Sequence, residues 1–197
     1  MKLYLSVIGA AMAVVYAVNV ALGTAPWYYI FLATVWCTAL QFALDGIVAI
    51  ATNRLPDSLF GVDNPRFDVS EKEIKLYKKL KIRLWMDKVW ELGGLGGFSK
   101  KKLTEPDNPE YIKKFIVECN KGVVTHRLSY PIGFLAMLTV RKSCVYTVAL
   151  PVAAVNLFLN VLPTMVLRYN TPMLKSLLKR LERKHTAEEE NQSAVVL

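Results

Sequence analysis

Apolar and polar positions along this chain fall into long separate blocks. Leu3 to Leu22 is an unbroken run of 20 mostly apolar residues, long enough at about 1.5 Å per residue to cross a hydrocarbon core of about 30 Å. A signal peptide competes for this stretch, because Lys2, a short apolar region and Ala11-Met12-Ala13 imitate its three parts. The apolar run continues well past Ala13, which favours a span. Gly23-Thr24-Ala25-Pro26 predicts a tight turn, and Trp27, Tyr28 and Tyr29 an interfacial aromatic cluster. A second span is predicted from about Tyr29 to Ala51. Leu128 to Val140 predicts a short third span, unless its helix begins earlier, near Gly122, and Arg141-Lys142 closes it. Val145 to Leu167 predicts a fourth, interrupted by Pro151 and Pro163 and ending at Arg168-Tyr169-Asn170. The expected fold class is an all-α integral membrane protein of about four transmembrane helices, with an amphipathic-helix segment between the second and third. Its expected parts are an N-terminal hairpin (1–51), a basic helical segment (52–127), a second hairpin (128–170) and a tail (171–197).

Composition sharpens this picture. The chain is 53% hydrophobic with a net charge of +9 and a mean hydropathy of +0.29. Residues 3–51 carry a single charge, Asp45, whereas 16 basic residues lie in 52–127 and six in 168–184. That segregation excludes a soluble globular enzyme, a disordered tail protein and a secreted disulfide scaffold. With four spans, 23 of the 25 basic residues share one side, and only Arg141 and Lys142 face the other. The positive-inside rule then places both termini and the middle segment in the cytoplasm, in a multi-pass protein of the cell membrane. Cys37, Cys119 and Cys144 are too scattered for a disulfide framework or a zinc site, so no structural metal is expected.

The segment 52–127 carries its own helix signals. Ser70-Glu71-Lys72-Glu73 fits a reciprocal capping box. Ile74, Tyr77, Leu80 and Leu84 follow at helical spacing among Lys72, Lys75, Lys78, Lys79 and Arg83, with Trp85 and Trp90 beyond. Two readings are open: a basic amphipathic helix at the headgroup level, or the solvated face of a small subdomain. Gly93-Gly94-Leu95-Gly96-Gly97 lacks the spacing of a phosphate-binding loop and reads as a connector. Asn108-Pro109 starts another helix, with Asn as cap and Pro at the first position, leading through Glu118 to His126.

Polar groups inside the apolar blocks are the candidate chemistry. Asp45 lies about 9 Å deep from the inner end of the second span, with Gln41 one turn above it. Asn160 lies about 12 Å deep in the fourth, with Asn156 one turn above. Polar ladders at matching depth are either a functional site facing the bundle interior or interhelical glue. For Gln41 and Asn156 glue is the simpler reading; for Asp45 and Asn160 both stay open. His126 stands at the base of the third span, and an imidazole is the usual general base near neutral pH. Glu118, about 12 Å along the same helix, is expected to orient it through a bend or to bind polar substrate.

Several of these blocks resemble the glycosyl-4,4'-diaponeurosporenoate acyltransferases, which esterify the sugar of a carotenoid glycoside with a fatty acyl chain in a staphyloxanthin-type pigment. Arg54-Leu55-Pro56-Asp57-Ser58-Leu59-Phe60 resembles the family's R-[IL]-P-D-x-x-F block. Ile82-Arg83-Leu84-Trp85-Met86-Asp87-Lys88 is similar to V-R-x-W-x-x-K, and Glu118 with His126 to E-T-x-R-A-E-x-x-H. Asn160-Val161-Leu162-Pro163 and Arg168-Tyr169-Asn170-Thr171-Pro172 resemble its last two blocks. The blocks run in order from about residue 52 to 184. Where the family has a second carboxylate in the histidine block, this chain has Val123.

The resemblance implies a membrane O-acyltransferase acting on a hydroxyl of a lipid or glycolipid, including a carotenoid glycoside. His126 and Glu118 are the expected catalytic pair. Arg83, Trp85, Lys88, Asn160, Arg168, Tyr169, Asn170 and Asp45 are the expected substrate-binding residues, the cations holding phosphate or developing negative charge. No tightly bound cofactor is expected; acyl-CoA or acyl carrier protein is the expected donor, its acidity suiting the basic surface. The expected partners are membrane lipids, the acceptor and the donor, with no nucleic acid. Two other classes stay open: a non-catalytic lipid-binding or scaffold subunit, and a small membrane methyltransferase or reductase.

Overall fold

In a computed structural model the described residues, 2–89 and 103–195, are all-helical, with no strand among them. Trp90 and the Gly93–Gly97 connector lie outside the described residues. Helix α1 spans Lys2–Leu22 and α2 spans Trp27–Asn53. Between them Gly23 adopts φ +61°, a left-handed conformation that costs glycine little, and the amide of Thr24 returns to the carbonyl of Asn19 at 3.2 Å. Helix α3 is Glu71–Lys79, flanked by 3-10 turns at Asp57–Phe60, Pro65–Phe67, Ile82–Leu84 and Met86–Lys88. Helix α4 is Pro109–Ile132 and the long α5 is Leu150–Val195.

Local chemistry accounts for the ends of these helices. Ser70 Oγ accepts from the Glu73 amide at 3.2 Å, and Asn108 Oδ1 accepts from the amides of Glu110 and Tyr111 at 3.0 and 3.2 Å, so both predicted N-caps form. Pro131 lies in the last turn of α4, where a missing amide is tolerated least well. The chain leaves the α-helix at Gly133 and continues as a 3-10 stretch to Thr139. The predicted third span is therefore the end of α4 plus this tighter coil. Among the described residues three helices are long and apolar enough to cross a membrane: α1, α2, and the helix running through Lys142–Ala187.

The other departure is at the C-terminal side. A span ending at Arg168-Tyr169-Asn170 is expected, but α5 continues to Val195. The reason is an apolar spine hidden in a polar-looking segment. Leu167, Leu174, Leu178 and Leu181 bury at helical spacing against Ile112, Phe115, Ile116, Cys119 and Val123 of α4. Pro151 stands at the start of α5 and has no amide to return to the Thr147 carbonyl four residues back. Ahead of it, Val145–Ala149 form a π-helical stretch.

Compactness divides the chain into two units, Met1–Arg54 with Val124–Thr164, and Leu55–Val123 with Met165–Leu197. In the first, α1 and α2 pack through Val15, Ile30 and Ala33 against Cys144 and Val148. Buried Asn19 there donates to the carbonyls of Val15 and Thr147 at 2.8 and 2.7 Å, the latter inside the π stretch. Tyr29, from the predicted aromatic cluster, accepts from the Arg141 amide at 2.8 Å, and the guanidinium lies 4.4 Å from its ring centre. In the second unit the segment predicted as a tail packs on the basic middle segment through the leucine spine.

Candidate active site

The first unit brings together four of the polar residues singled out in the sequence. Asn160 Nδ2 donates to Asp45 Oδ2 at 3.2 Å and to the Asn156 carbonyl at 3.0 Å. Asn160 Oδ1 lies 2.8 Å from His126 Nδ1. Turning the Asn160 amide over would set its oxygen against the Asp45 carboxyl oxygen, so the network fixes its orientation. In that orientation Asn160 Oδ1 accepts from His126 Nδ1. Asn156 Nδ2 reaches Asp45 Oδ1 at 3.4 Å. A carboxyl on α2, two amides on α5 and an imidazole on α4 thus form one chain, with Asn160 buried at its centre.

Further contacts brace that chain. Tyr130, one turn along α4 from His126, donates to Thr164 Oγ1 at 2.8 Å, and Thr164 donates to the Asn160 carbonyl at 3.0 Å. Gln41 Nε2 donates to the Gly133 carbonyl at 2.6 Å. A Cβ on Gly133 would stand 2.8 Å from Gln41 Oε1 and 3.2 Å from Asn156 Nδ2, so a side chain there would displace these amides. Gln41 therefore acts as the interhelical glue the sequence suggests. Tyr130 and Thr164 are neighbours of this network that the sequence reading missed. Each lies four residues from a singled-out residue, His126 and Asn160, and that i,i+4 relation was the available signal.

The second unit holds the other predicted site residues, and its most buried charges are paired. Arg168, 5% exposed, binds Glu73 through Nε and Nη2 and donates from Nη2 to the Asp68 carbonyl at 3.0 Å. Its Nη1 is buried with no hydrogen-bond partner. Glu73 also accepts from the Tyr77 hydroxyl. Burial, then this bond to Glu73, pushes the Tyr77 phenol well above its ordinary range. The Tyr169 ring meets Tyr77 edge-on at 6.4 Å, and Asn170 is half-buried. The Glu73 carboxylate, expected to complete a capping box, is thus a ligand of Arg168. Its reading as a cap concealed that role.

Glu118, expected to orient His126, pairs with Lys121 at 3.2 Å, and the same ammonium binds Asp57 at 2.6 Å. Burial lowers the Lys121 pKa, but the bonds to Asp57 and Glu118 outweigh it and the net shift is upward. Asn120 Nδ2 donates to the Phe60 carbonyl at 2.9 Å. The Asp57 and Phe60 positions of the first family-like block are therefore tied to α4. Arg83 and Lys88 are exposed, while Trp85 is half-buried and donates from Nε1 to the Leu80 carbonyl at 3.1 Å. Among the described residues no group of three His, Cys, Asp or Glu side chains is placed to hold a metal ion.

An all-helical protein with three span-length apolar helices, and with an imidazole held by an amide in the unit that contains two of them, is the class these observations define. Residues 56–180 match the glycosyl-4,4'-diaponeurosporenoate acyltransferase family, more than half of the chain. The chain belongs to that family, and it is an acyltransferase of carotenoid biosynthesis. No curated protein and no solved structure matches it. His126, Asn160 and Arg168 fall inside the matched region, whereas Asp45 comes from α2, outside it.

Proposed function

We propose that this acyltransferase works within a cell membrane, as a multi-pass protein with both termini and its active face cytoplasmic, and that it esterifies a hydroxyl of a carotenoid glycoside or related glycolipid. The donor in this reading is a fatty acyl thioester, on CoA or an acyl carrier protein, and no bound cofactor is needed. His126 Nε2 takes the proton of the acceptor hydroxyl as the oxygen attacks the thioester carbonyl. The carbon–oxygen bond forms, the carbon–sulfur bond breaks, and the imidazolium returns the proton to the departing thiolate. Asn160 fixes the tautomer and ring orientation, and Asp45 holds Asn160 in turn, the orienting role otherwise given to Glu118.

The observation that supports this most directly is the 2.8 Å contact between His126 Nδ1 and Asn160 Oδ1, since it holds the ring through one nitrogen. The experiment is acyl transfer by the purified full chain, given acyl-CoA or acyl carrier protein with a carotenoid glycoside. His126→Ala should lower the rate about 10²- to 10⁴-fold. Transfer undiminished in His126→Ala would sink the catalytic assignment.

A further inference from the structure

The second unit exposes a face that neither its core nor the reaction uses. Helix α3 is held from one side, by the Glu73 bonds to Arg168 and by buried Tyr77. Its other side is apolar and unpartnered: Leu76 is 50%, Leu80 44% and Leu84 72% exposed. Leu76 and Leu80 are one helical turn apart, and Leu84 follows on the adjoining 3-10 turn. Exposed Lys72, Lys75, Lys78 and Lys79 surround them, with Glu71 as the exposed acid on the same helix. Lysine stems can lie along an apolar surface while the ammonium groups reach outward to phosphate.

We infer that the face formed by Leu76, Leu80 and Leu84 with Lys72, Lys75, Lys78 and Lys79 docks on an anionic lipid surface. The leucines enter the headgroup–acyl boundary and the ammonium groups meet lipid phosphate. Leucines in the middle of the cations favour a lipid surface over an acidic protein, because a solvated charge contact needs no apolar centre. This is an interfacial seat distinct from the spans. It rests on the membrane reading above and not on the chemistry given to His126.

The test labels the full chain with an environment-sensitive fluorophore at Leu80→Cys. The native thiols of Cys37, Cys119 and Cys144 are buried, and labelled wild type supplies their background. The chain is reconstituted without substrate in phosphatidylcholine vesicles with or without phosphatidylglycerol. Docking predicts that lipid-borne quencher reaches the label in the anionic vesicles, and that Lys72→Glu with Lys79→Glu weakens the bound state about fivefold or more per reversed charge. It also predicts release at 1 M salt, where the screening length falls to about 3 Å. Equal quenching by aqueous iodide in both compositions would overturn the proposal. So would a label that lipid never reaches but that added acyl carrier protein covers, since the face would then belong to a protein donor. A parallel label at Leu32→Cys, an exposed apolar position of α2, separates the two failures. Loss of lipid contact there strikes the membrane reading, whereas loss at position 80 alone strikes only the docking.

Discussion

The two units bury polar groups in opposite ways. In the first, a carboxyl, two amides and an imidazole share one set of hydrogen bonds, and Asp45 is its one acidic residue. In the second, Arg168 with Glu73 and Lys121 with Asp57 and Glu118 are closed ion pairs. A buried ion pair occupies the groups that make it and penalises the loss of either partner. An amide network can orient a ring by one nitrogen and leave the other with its lone pair. The comparison fits the proposed function, in which reactivity lies in the unit with less charge. It gives Glu73, Glu118 and two of the three Arg168 nitrogens to the architecture of the other.

Four measurements test that division, starting with the largest effect. Removing one partner of the Arg168 pair, as in Glu73→Ala, should cost about 3–5 kcal/mol of stability. Unfolding of the purified protein by denaturant measures it, and a cost near zero would erase the contrast between the units. Asn160→Ala should leave the fold standing and lower acyl transfer about 10- to 100-fold, as loss of an orienting partner does. Its pH–rate profile should move as well, because the ring loses its fixed tautomer; a change in KM alone would make Asn160 a binding residue. Ser70→Ala should cost about 1 kcal/mol by freeing the Glu73 amide at the start of α3, and leave transfer per folded molecule unchanged. The smallest effect is on pH. The folded pKa of Lys121 lies above its unfolded value, so its contribution is complete below the ordinary lysine range. That contribution is lost as pH rises through the raised folded pKa. Alkaline titration of stability should show this loss in wild type and not in Lys121→Met.

Much of this division was legible in local sequence, and the misses have physical reasons. The caps at Ser70 and Asn108 are decided by bonds spanning two or three residues, so they form as read. Apolar runs mark α1 and α2 because their length and composition are local properties. Failures came where a local rule met a distant partner. Glu73 reads as a cap but meets Arg168, 95 positions away. The segment after Asn170 reads as a tail because its charges dominate the average, while every third or fourth residue is a leucine with a helix to pack on. Glu118 reads as the orienter of His126 because they share a helix, and the structure gives that contact to Asn160, 34 positions along the chain.

Sequence by itself determined the segregation of charge from apolar runs, the span-length helices, the family blocks, and Asp45, Asn160 and His126 as polar groups worth explaining. Those follow from composition and short-range periodicity, which a single chain displays in full. Only the tertiary structure decided that these three residues touch, that it is Nδ1 of His126 that meets Asn160, and that Arg168 is committed to Glu73. Hydrogen bonds and ion pairs depend on separations of a few tenths of an ångström between groups far apart in the chain. Helix packing sets those separations, and no local pattern of residue types does.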